Sequence, residues 1–362
     1  MTEQAGAAVP PTPGRAAGVR LCDSYDVALL DLDGVVYVGT APAPGAAAAL
    51  SMARQSGLRL AFVTNNASRS AAQVVELLAA VGVPAGPADV ITSAQAAAHL
   101  LRERLASGAL VLVVGTDALA EEVRRAGLRA TRTADPLPAA VVQGYGPETS
   151  WRDLAEAAIA VRAGALWVAT NTDSTLPSPR GPLPGNGALV AAVQVATGGR
   201  PTVVGKPFPW LHRESVVRSG ARRPLVVGDR LDTDIQGAVA ADTDSLLVLT
   251  GLTTPLMLLG AEPHQRPTYI SRDLAGLIDE HPAVTFDGQV AACRGFSARL
   301  DAGAVVLSGG EDGDPIDALR ALCQACWRAA GPESVVRAAG TAAAEALAGL
   351  GIAGQITAAS GA

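Results

Sequence analysis

The sequence predicts an α/β protein built on a doubly wound parallel sheet. Three observations indicate this: short runs that are apolar at every position, helical stretches between these runs, and polar residues directly after the runs. Runs apolar at successive positions are typical of strands buried on both faces, as in a parallel sheet. At 362 residues the chain is expected to form two or three compact units.

The first of these strands is predicted at Val27–Leu30, and it ends in the motif Asp31-Leu32-Asp33-Gly34. Alternation along an extended chain places the side chains of Asp31 and Asp33 on one side, beyond the sheet. Crevices at the carboxyl ends of parallel strands are where ligands bind in such proteins. An ordinary turn uses the same residue types, so the motif alone leaves two interpretations open.

A second strand is predicted at Leu58–Val63, after an Ala-rich helix that joins the two strands into a βαβ unit. It ends at Thr64, for which a helix cap is the alternative interpretation. Another apolar run, 224–228, ends at Asp229. A parallel sheet brings these strand ends to one edge, so polar residues at all of them favour a ligand site over three independent turns.

Between these parts the α/β pattern restarts and predicts a separate inserted unit. Its strands are expected at Val111–Val114, Ala140–Val142 and Leu166–Ala169, with helices at Leu119–Ala126 and Leu154–Ala163. The last strand leads into Thr170-Asn171-Thr172-Asp173 and then into an irregular loop rich in Pro and Gly, 176–187. Long irregular loops in compact proteins are more often functional than not.

After Phe286 the sequence predicts a small α+β module over 285–362. We expect a strand at Val305–Leu307 and helices at Ile316–Ala329 and Ser334–Leu347. The module holds Cys323 and Cys326, but no second cysteine pair or neighbouring histidine that would complete a zinc site. We interpret the two thiols as part of a buried helix face.

The overall composition excludes several classes of function. A net charge of −6 supplies no basic surface for nucleic acid or an anionic membrane. No apolar stretch reaches the ~20 residues of a transmembrane helix. Four cysteines in a chain of this size indicate a reducing compartment, and hence the cytoplasm. Residues 1–20 lack the apolar block of a signal peptide, so we expect a disordered leader.

Carboxylates gathered at one sheet edge repel each other, by about 4 kcal/mol for a pair roughly 4 Å apart near a protein surface. A divalent cation would offset this repulsion, and all-oxygen ligands indicate Mg²⁺, which is commonly shared with a phosphate. Of 28 Lys plus Arg residues one is lysine, Lys206. Its compact ammonium and the Thr64 hydroxyl would act as donors to phosphate oxygens.

Four motifs, in order, carry a family resemblance. They are Asp31-Leu32-Asp33-Gly34-Val35, Thr64-Asn65-Asn66, Gly205-Lys206-Pro207 and Gly228-Asp229-Arg230-Leu231-Asp232-Thr233-Asp234-Ile235. Together they resemble the motifs of haloacid dehalogenase (HAD) superfamily phosphatases of class IIA, the group of nitrophenylphosphatase-like, phosphoglycolate and glycerol-phosphate phosphatases. The resemblance covers roughly 25–278. It implies a Rossmann-like core in two parts, 21–94 and 200–284, with a large α/β cap at 95–199 between them.

The resemblance also implies a mechanism. Asp31 would attack phosphorus and form an aspartyl-phosphate, and Asp33 would act first as acid and then as base. Mg²⁺ would bind a carboxylate oxygen of Asp31, the backbone carbonyl of Asp33 and the carboxylate of Asp229. Asp234 would act from outside this ligand shell, through water or by orienting Lys206.

Thr64, Asn65 and Lys206 would bind the phosphate, again by resemblance, while Asp232 is interpreted as structural. In the cap, Asn171 and Asp173 lie in a segment similar to the family's signature loop. These two residues and Tyr145 are expected to set substrate specificity.

The expected substrate is a small phosphorylated metabolite, with glycerol 3-phosphate and 2-phosphoglycolate as first candidates. Gln143-Gly144-Tyr145-Gly146 departs from the pattern of many relatives, which carry an acidic residue there, so the substrate is left open. A phosphotransferase such as a mutase, using the same aspartyl-phosphate, is one alternative. A catalytically silent regulatory binding protein is another.

The C-terminal module lies outside the family pattern. It loosely resembles part of an acetyltransferase fold, but it lacks a glycine-rich loop that would bind the pyrophosphate of coenzyme A. We interpret it as a packing or dimerisation module, so a homodimer could form through this module or through the cap.

Overall fold

A computed structural model describes residues 18–176, 178, 180–301, 303–311, 313–328, 335–352 and 355–357. These residues form two compact units. The core-and-cap unit consists of Val27–Ala43 and Arg59–Pro224. The C-terminal unit consists of the described residues up to Asp26, Pro44–Leu58 and the described residues from Leu225 onward.

Most of the predicted leader lies outside the described residues. Of its last three residues, the Gly18 N–H donates a hydrogen bond to the His281 carbonyl at 2.8 Å. Arg20 forms an isolated bridge with Glu280.

The core of the core-and-cap unit is a set of parallel strands, as the apolar runs predict. The strands are Val27–Leu30, Arg59–Thr64 and Val90–Thr92. Leu30 pairs with Phe62, and Thr64 pairs with Thr92, so the chain leaves adjacent strands on the same side. Helices accompany these strands at Ala71–Ala80, Ser93–Arg104 and Pro209–Ser219.

Two of these helices begin where the sequence supplies a capping box. Ser70 accepts a hydrogen bond from the Gln73 N–H, and the Gln73 side chain accepts one from the Ser70 N–H at 2.8 Å. Thr92 and Gln95 form the same arrangement. Both boxes satisfy backbone N–H groups that the first turn of a helix leaves unbonded. The chain therefore changes from strand to helix within a few residues of Thr64 and of Thr92.

The cap is a five-stranded parallel sheet with helices. Its strands, in spatial order, are Thr202–Val203, Leu166–Ala169, Ala140–Gln143, Leu110–Val114 and Arg129–Thr131. Its helices are Asp117–Arg125, Trp151–Arg162 and Asn186–Thr197. Two short antiparallel ribbons also lie in this unit, Tyr37–Val38 with Ala41–Pro42 and Thr175–Leu176 with Leu183–Pro184.

The C-terminal unit contains a second set of parallel strands. They are Pro224–Gly228, Asp244–Val248 and Tyr269–Ser271. The helices around them are Leu21–Ser24, Ala46–Gln55, Gln236–Ala240 and Pro255–Leu259, with 3-10 turns at Pro263–Gln265 and Leu274–Leu277. A π-helical turn, Leu231–Ile235, follows the first strand.

The C-terminal module, from Val284 onward, is richer in strands than predicted. Its sheet runs in the order Val284–Phe286, Val290–Cys293, Phe296–Asp301, Ala304–Gly309, Val335–Ala339 and Gln355–Thr357. The first three pairings are antiparallel and the last two are parallel. Helices Pro315–Cys326 and Thr341–Gly349 complete it.

One predicted helix of the module is wrong in its first half. Val335–Ala339 is a strand paired with Ala304–Ser308, and the helix begins only at Thr341. The run is rich in Ala and Val, which short patterns assign equally well to strand or helix. The segment forms a strand because it pairs with the buried neighbouring strand.

The predicted α/β class with parallel sheets is confirmed.

The described part of the chain contains no helix of sufficient length and apolarity to cross a membrane.

Candidate active site

Asp31 and Lys206 are in direct contact in the core-and-cap unit. The Lys206 ammonium donates a hydrogen bond to Oδ1 of Asp31 and a longer one, at 3.3 Å, to the Val63 carbonyl. The lysine side chain is 3 % exposed and that of Asp31 is 16 % exposed. A charge pair shielded in this way is held firmly, because removing either partner leaves the other charge poorly compensated. The chain's single lysine therefore lies where the sequence predicted it would matter.

Asn65 fixes the backbone on both sides of the Lys206 residue. Its Oδ1 accepts a hydrogen bond from the Lys206 N–H at 2.7 Å, and its Nδ2 donates to the Lys206 carbonyl at 3.1 Å. The neighbouring Gly205 is required by close packing. A β-carbon there would lie 2.4 Å from the carbonyl oxygen of Thr170 and 2.7 Å from Asn65 Oδ1.

Asp33 lies two residues beyond Asp31, in a tight turn closed by Gly34. The Gly34 N–H donates to the Tyr37 carbonyl at 2.7 Å, and Gly34 has a φ of 84°, in the region that favours glycine. Asp33 is exposed at the surface, yet the protein packed around its carboxyl removes part of its water and raises its pKa. The positive charges of Arg69 and Lys206 act in the opposite direction and limit that rise. A carboxyl with a raised pKa suits a group that must both donate and accept a proton.

Thr64 and the residues after it form a compact loop. The Thr64 hydroxyl accepts a hydrogen bond from the Asn66 N–H at 3.1 Å. Oδ1 of Asn66 in turn accepts from both the N–H and the hydroxyl of Ser68, at 2.7 Å each. This loop places Arg69 near Asp33.

The cap is bonded to this loop through its signature segment. Asn171 Nδ2 donates to the Asn65 carbonyl at 2.8 Å, and Asn65 Nδ2 donates to Asp173 Oδ2 at 3.2 Å. Asn186 Nδ2 donates to the Asn171 carbonyl at 2.7 Å, so the segment is also tied to a cap helix. Tyr145, the third predicted cap residue, is half-buried.

The cap therefore meets the core at Asn65, the residue that also fixes Lys206. A second contact is the hydrogen bond from Thr116 to the Ser68 carbonyl, at 3.1 Å.

The acidic motif lies in the C-terminal unit, where Asp229 follows the strand Pro224–Gly228. Asp229 is 1 % exposed, and its Oδ2 accepts a hydrogen bond from the Leu252 N–H at 2.8 Å. The Asp229 carbonyl accepts from the Thr253 N–H at 3.2 Å. A β-carbon on Gly251 would lie 1.9 Å from Asp229 Oδ2. The loop Gly251–Thr253 can therefore approach the Asp229 carboxylate this closely only with glycine at position 251.

Asp234 is buried as deeply as Asp229, at 1 % exposure, and a carboxylate oxygen of each lies within 4.8 Å of the other. Its Oδ2 accepts a hydrogen bond from the Arg230 N–H at 3.2 Å. Asp232, interpreted as structural, is an exposed residue whose carboxylate pairs with the Arg230 guanidinium at 2.8 and 3.0 Å.

The chemistry of these groups fits Mg²⁺. Two buried carboxylates this close to one another require positive charge nearby. Carboxylate and carbonyl oxygens are the protein ligands that Mg²⁺ prefers. Asp229 offers such an oxygen in a rigid setting.

Sequence reasoning missed Arg69 and the loop Gly251–Thr253. Arg69 lies in an exposed loop, where an arginine carries no pattern that distinguishes it from other surface arginines. Gly251 follows a strand like many other glycines, and its closeness to Asp229 follows from the fold alone. The serine and asparagine residues around Arg69 were the nearest available signal, because such residues build tight loops.

Comparison with known proteins places the chain in a family. Two family models match it, one described as haloacid dehalogenase-like hydrolase over residues 28–129 and one as HAD-hydrolase-like over 203–277. A third, a GCN5-related N-acetyltransferase like domain, matches residues 293–352, in agreement with the loose resemblance of the module. Each of the first two covers one part of the predicted HAD core.

Known relatives agree with these matches. D-glycerol 3-phosphate phosphatase of Mycobacterium tuberculosis is 49 % identical over 316 residues, 85 % of this chain and 88 % of the relative. A crystal structure of glycerol phosphate phosphatase from the same organism in complex with magnesium has a TM-score of 0.84 at 47 % identity and covers 91 % of this chain and 98 % of that one. A p-nitrophenyl phosphatase from Archaeoglobus fulgidus has a TM-score of 0.66 at 29 % identity, covering 70 % of this chain and 98 % of its own. The chain therefore belongs to the haloacid dehalogenase-like hydrolases, as a phosphatase of the class IIA group that its four motifs predicted.

Proposed function

We propose that this phosphatase hydrolyses D-glycerol 3-phosphate through a phosphorylated Asp31. The observation that carries the choice of substrate is the 49 % identity to a D-glycerol 3-phosphate phosphatase over 316 residues. Glycerol 3-phosphate is also one of the two first candidates that the family resemblance implies. Mg²⁺ is the cofactor, as predicted; the related phosphatase has been crystallised with it, and the acidic residues present here fit it.

In the first step, a carboxylate oxygen of Asp31 attacks phosphorus while the bond from phosphorus to the glycerol oxygen breaks. The Lys206 ammonium, already bonded to Asp31, offsets the negative charge that the phosphate brings to the site. Thr64 and Asn65, at the end of the adjacent strand, are proposed to bind phosphate oxygens. This geometry supplies a nucleophile and a countercharge at one place.

Asp33 is proposed to transfer the protons. Its carboxyl protonates the departing glycerol oxygen and becomes a carboxylate. The carboxylate then takes a proton from water, whose oxygen attacks phosphorus and releases inorganic phosphate from Asp31. The raised pKa of Asp33 supports this double task, because the protonated form is then available nearer neutral pH.

The proposed ligands of Mg²⁺ are the carboxylates of Asp31 and Asp229 and the backbone carbonyl of Asp33. When bound there, the ion neutralises phosphate charge and orients the phosphate toward the nucleophile. Asp234, bonded to the Arg230 N–H beside Asp229, is proposed to act without binding the ion directly.

The cap supports a small substrate. Hydrogen bonds from Asn171 and to Asp173 join it to Asn65, and a large cap over the site should exclude macromolecules. We propose that Asp173, Asn171 and Tyr145 set specificity, and that nucleic acids and membranes are not partners. A homodimer through the cap or the C-terminal module stays a prediction.

The test is a phosphate-release screen with purified full-length protein, with and without Mg²⁺. D-glycerol 3-phosphate should give the highest kcat/KM, above 2-phosphoglycolate and sugar phosphates. Addition of a second alcohol should leave free phosphate as the product, whereas a phosphorylated alcohol would indicate a transferase. Mass spectrometry of acid-quenched enzyme should find phosphate on Asp31. A strict preference for a nucleotide or a phosphoprotein would contradict the proposal.

A further inference from the structure

The C-terminal module and the strands of the phosphatase core share one hydrophobic cluster within the C-terminal unit. Leu231 and Ile235, on either side of Asp234 and close to Asp229 in the chain, belong to it. From the module the same cluster includes Leu319, Leu322 and Trp327, among others. The module is therefore packed against the part of the chain that carries the acidic motif.

Asp229 depends on a loop that is followed directly by a short helix. The Leu252 and Thr253 N–H groups donate to Asp229, and Thr254 then caps the helix Pro255–Leu259 by accepting a hydrogen bond from the Met257 N–H at 3.3 Å. The position of this helix therefore determines where the two N–H groups lie.

The module bonds to the same helix. The indole N–H of Trp327 donates to the Leu258 carbonyl at 3.0 Å, in the last turn of Pro255–Leu259. Trp327 is 9 % exposed, and the Arg266 guanidinium lies over its ring at 5.4 Å from the centroid. The Leu258 carbonyl also accepts a hydrogen bond from the Ala261 N–H at 3.1 Å, so the end of the helix is held both by its own turn and by a donor from the module.

We propose that Trp327 is a positioning residue for Mg²⁺ binding, acting through the helix Pro255–Leu259 on the carboxylate of Asp229. This inference rests on the proposed role of Asp229 as a ligand. In this role the acetyltransferase-like module contributes to the phosphatase reaction without binding a ligand itself. Groups that orient a metal ligand from outside the coordination shell commonly change metal affinity about 10- to 100-fold when removed. Trp327 acts through one further element, so the expected effect is smaller.

The chain offers a matched control. Arg320, on helix Pro315–Cys326, also ties the module to the core, by donating twice to the Ile270 carbonyl at 2.7 and 3.1 Å. Ile270 lies in the strand Tyr269–Ser271 and is in register with Leu247, whereas the Asp229 carboxylate is bonded by Leu252, further along the chain. Loss of either hydrogen-bonded contact between module and core should lower the melting temperature. Only the Trp327 contact involves the helix next to the loop that bonds Asp229, the proposed metal ligand.

The experiment uses full-length Trp327→Phe and Arg320→Gln proteins, titrated calorimetrically with MgCl₂ alone. Phenylalanine keeps a ring beneath Arg266 and removes the indole N–H. We expect Trp327→Phe to raise the Kd for Mg²⁺ about 3- to 10-fold. Arg320→Gln should leave this Kd unchanged. In turnover assays, saturating Mg²⁺ should restore the kcat of Trp327→Phe.

Thr254→Ala supplies a second approach to the same helix and covers the case in which the Trp327 variant fails to fold. It should raise the Kd for Mg²⁺ as well, and Thr254→Ser should restore it. Wild-type affinity in folded Trp327→Phe or Thr254→Ala protein would overturn the inference, as would an equal loss in Arg320→Gln. Because Mg²⁺ is titrated without substrate, a protein that binds the ion but does not hydrolyse glycerol 3-phosphate would refute the proposed function alone.

Discussion

The ammonium group of Lys206 donates a hydrogen bond to the carboxylate of Asp31, 175 positions earlier in the chain. Both side chains are largely shielded from water. A cation fixed beside this carboxylate can attract a phosphate dianion to the same place. In the proposed mechanism, this contact joins the attacking group to the phosphate site.

Asp31→Asn is expected to lower kcat by about 1,000-fold or more, because a carboxamide cannot form the acyl phosphate. The measurement is turnover of p-nitrophenyl phosphate, with circular dichroism to show that the fold is intact. Asp232→Asn is the matched control, since Asp232 is an exposed aspartate of the acidic motif paired with Arg230. Appreciable activity in Asp31→Asn would contradict the assignment of the nucleophile.

Lys206→Arg is expected to lower kcat/KM by about 100-fold, although the charge is kept. The side chain is 3 % exposed and lies between Asp31 and the Val63 carbonyl, so a planar guanidinium does not fit. Arg102→Lys, at an exposed position, should be neutral. Steady-state kinetics with glycerol 3-phosphate checks this, and wild-type kinetics in Lys206→Arg would show that a compact ammonium is not needed.

Arg69→Met is expected to move the pH dependence that reports Asp33 toward higher pH. Partial burial raises the pKa of Asp33, and the positive charge of Arg69 lowers it by favouring the carboxylate. Without that charge the protonated form of Asp33 is favoured, and its pKa rises further. The inflection in the plot of kcat against pH therefore moves to higher pH, whether Asp33 acts as the acid or as the base in the step that limits the rate. Arg69→Lys keeps the charge and should keep the profile. The measurement is kcat against pH at saturating Mg²⁺, and a shift to lower pH would rule out this role.

Asn65→Asp is expected to reduce kcat/KM by about 10- to 100-fold. The new carboxylate would face Asp173 where an amide now donates at 3.2 Å, and it could no longer donate to the Lys206 carbonyl. Adding Asp173→Asn removes the repulsion and should recover part of the loss. No recovery in the double variant would mean that the contact between Asn65 and the cap is unimportant for turnover.

Most of the core and the central site could be predicted because the information is local. Val27–Leu30 is apolar at every position and is followed at once by Asp31 and Asp33, so the strand and the proposed site residues are adjacent in the sequence. A position of Lys206 near the aspartates was expected because it is the chain's single lysine and lies in the motif Gly205-Lys206-Pro207 of the family resemblance. The cap sheet followed from the same type of apolar run.

Other features depend on contacts between distant segments and leave no local pattern. Val335–Ala339 is a strand because it pairs with Ala304–Ser308, not because its composition excludes a helix. Arg69 affects the pKa of Asp33 only because its loop folds toward that residue. The hydrogen bond from Trp327 to Leu258 joins residues 69 positions apart, and a carbonyl acceptor has no side chain for a sequence to reveal.

The hydrogen bonds of Asn65 connect two parts of the site. Its single amide group holds the backbone of Lys206 and also donates to Asp173 of the cap, so the position of Lys206 and the contact with the cap depend on the same side chain. A substitution at Asn65 would therefore affect both contacts at once. Exchange of this cap for that of a relative would also change the reactivity of Asp31 unless the partners of Asn65 are exchanged with it.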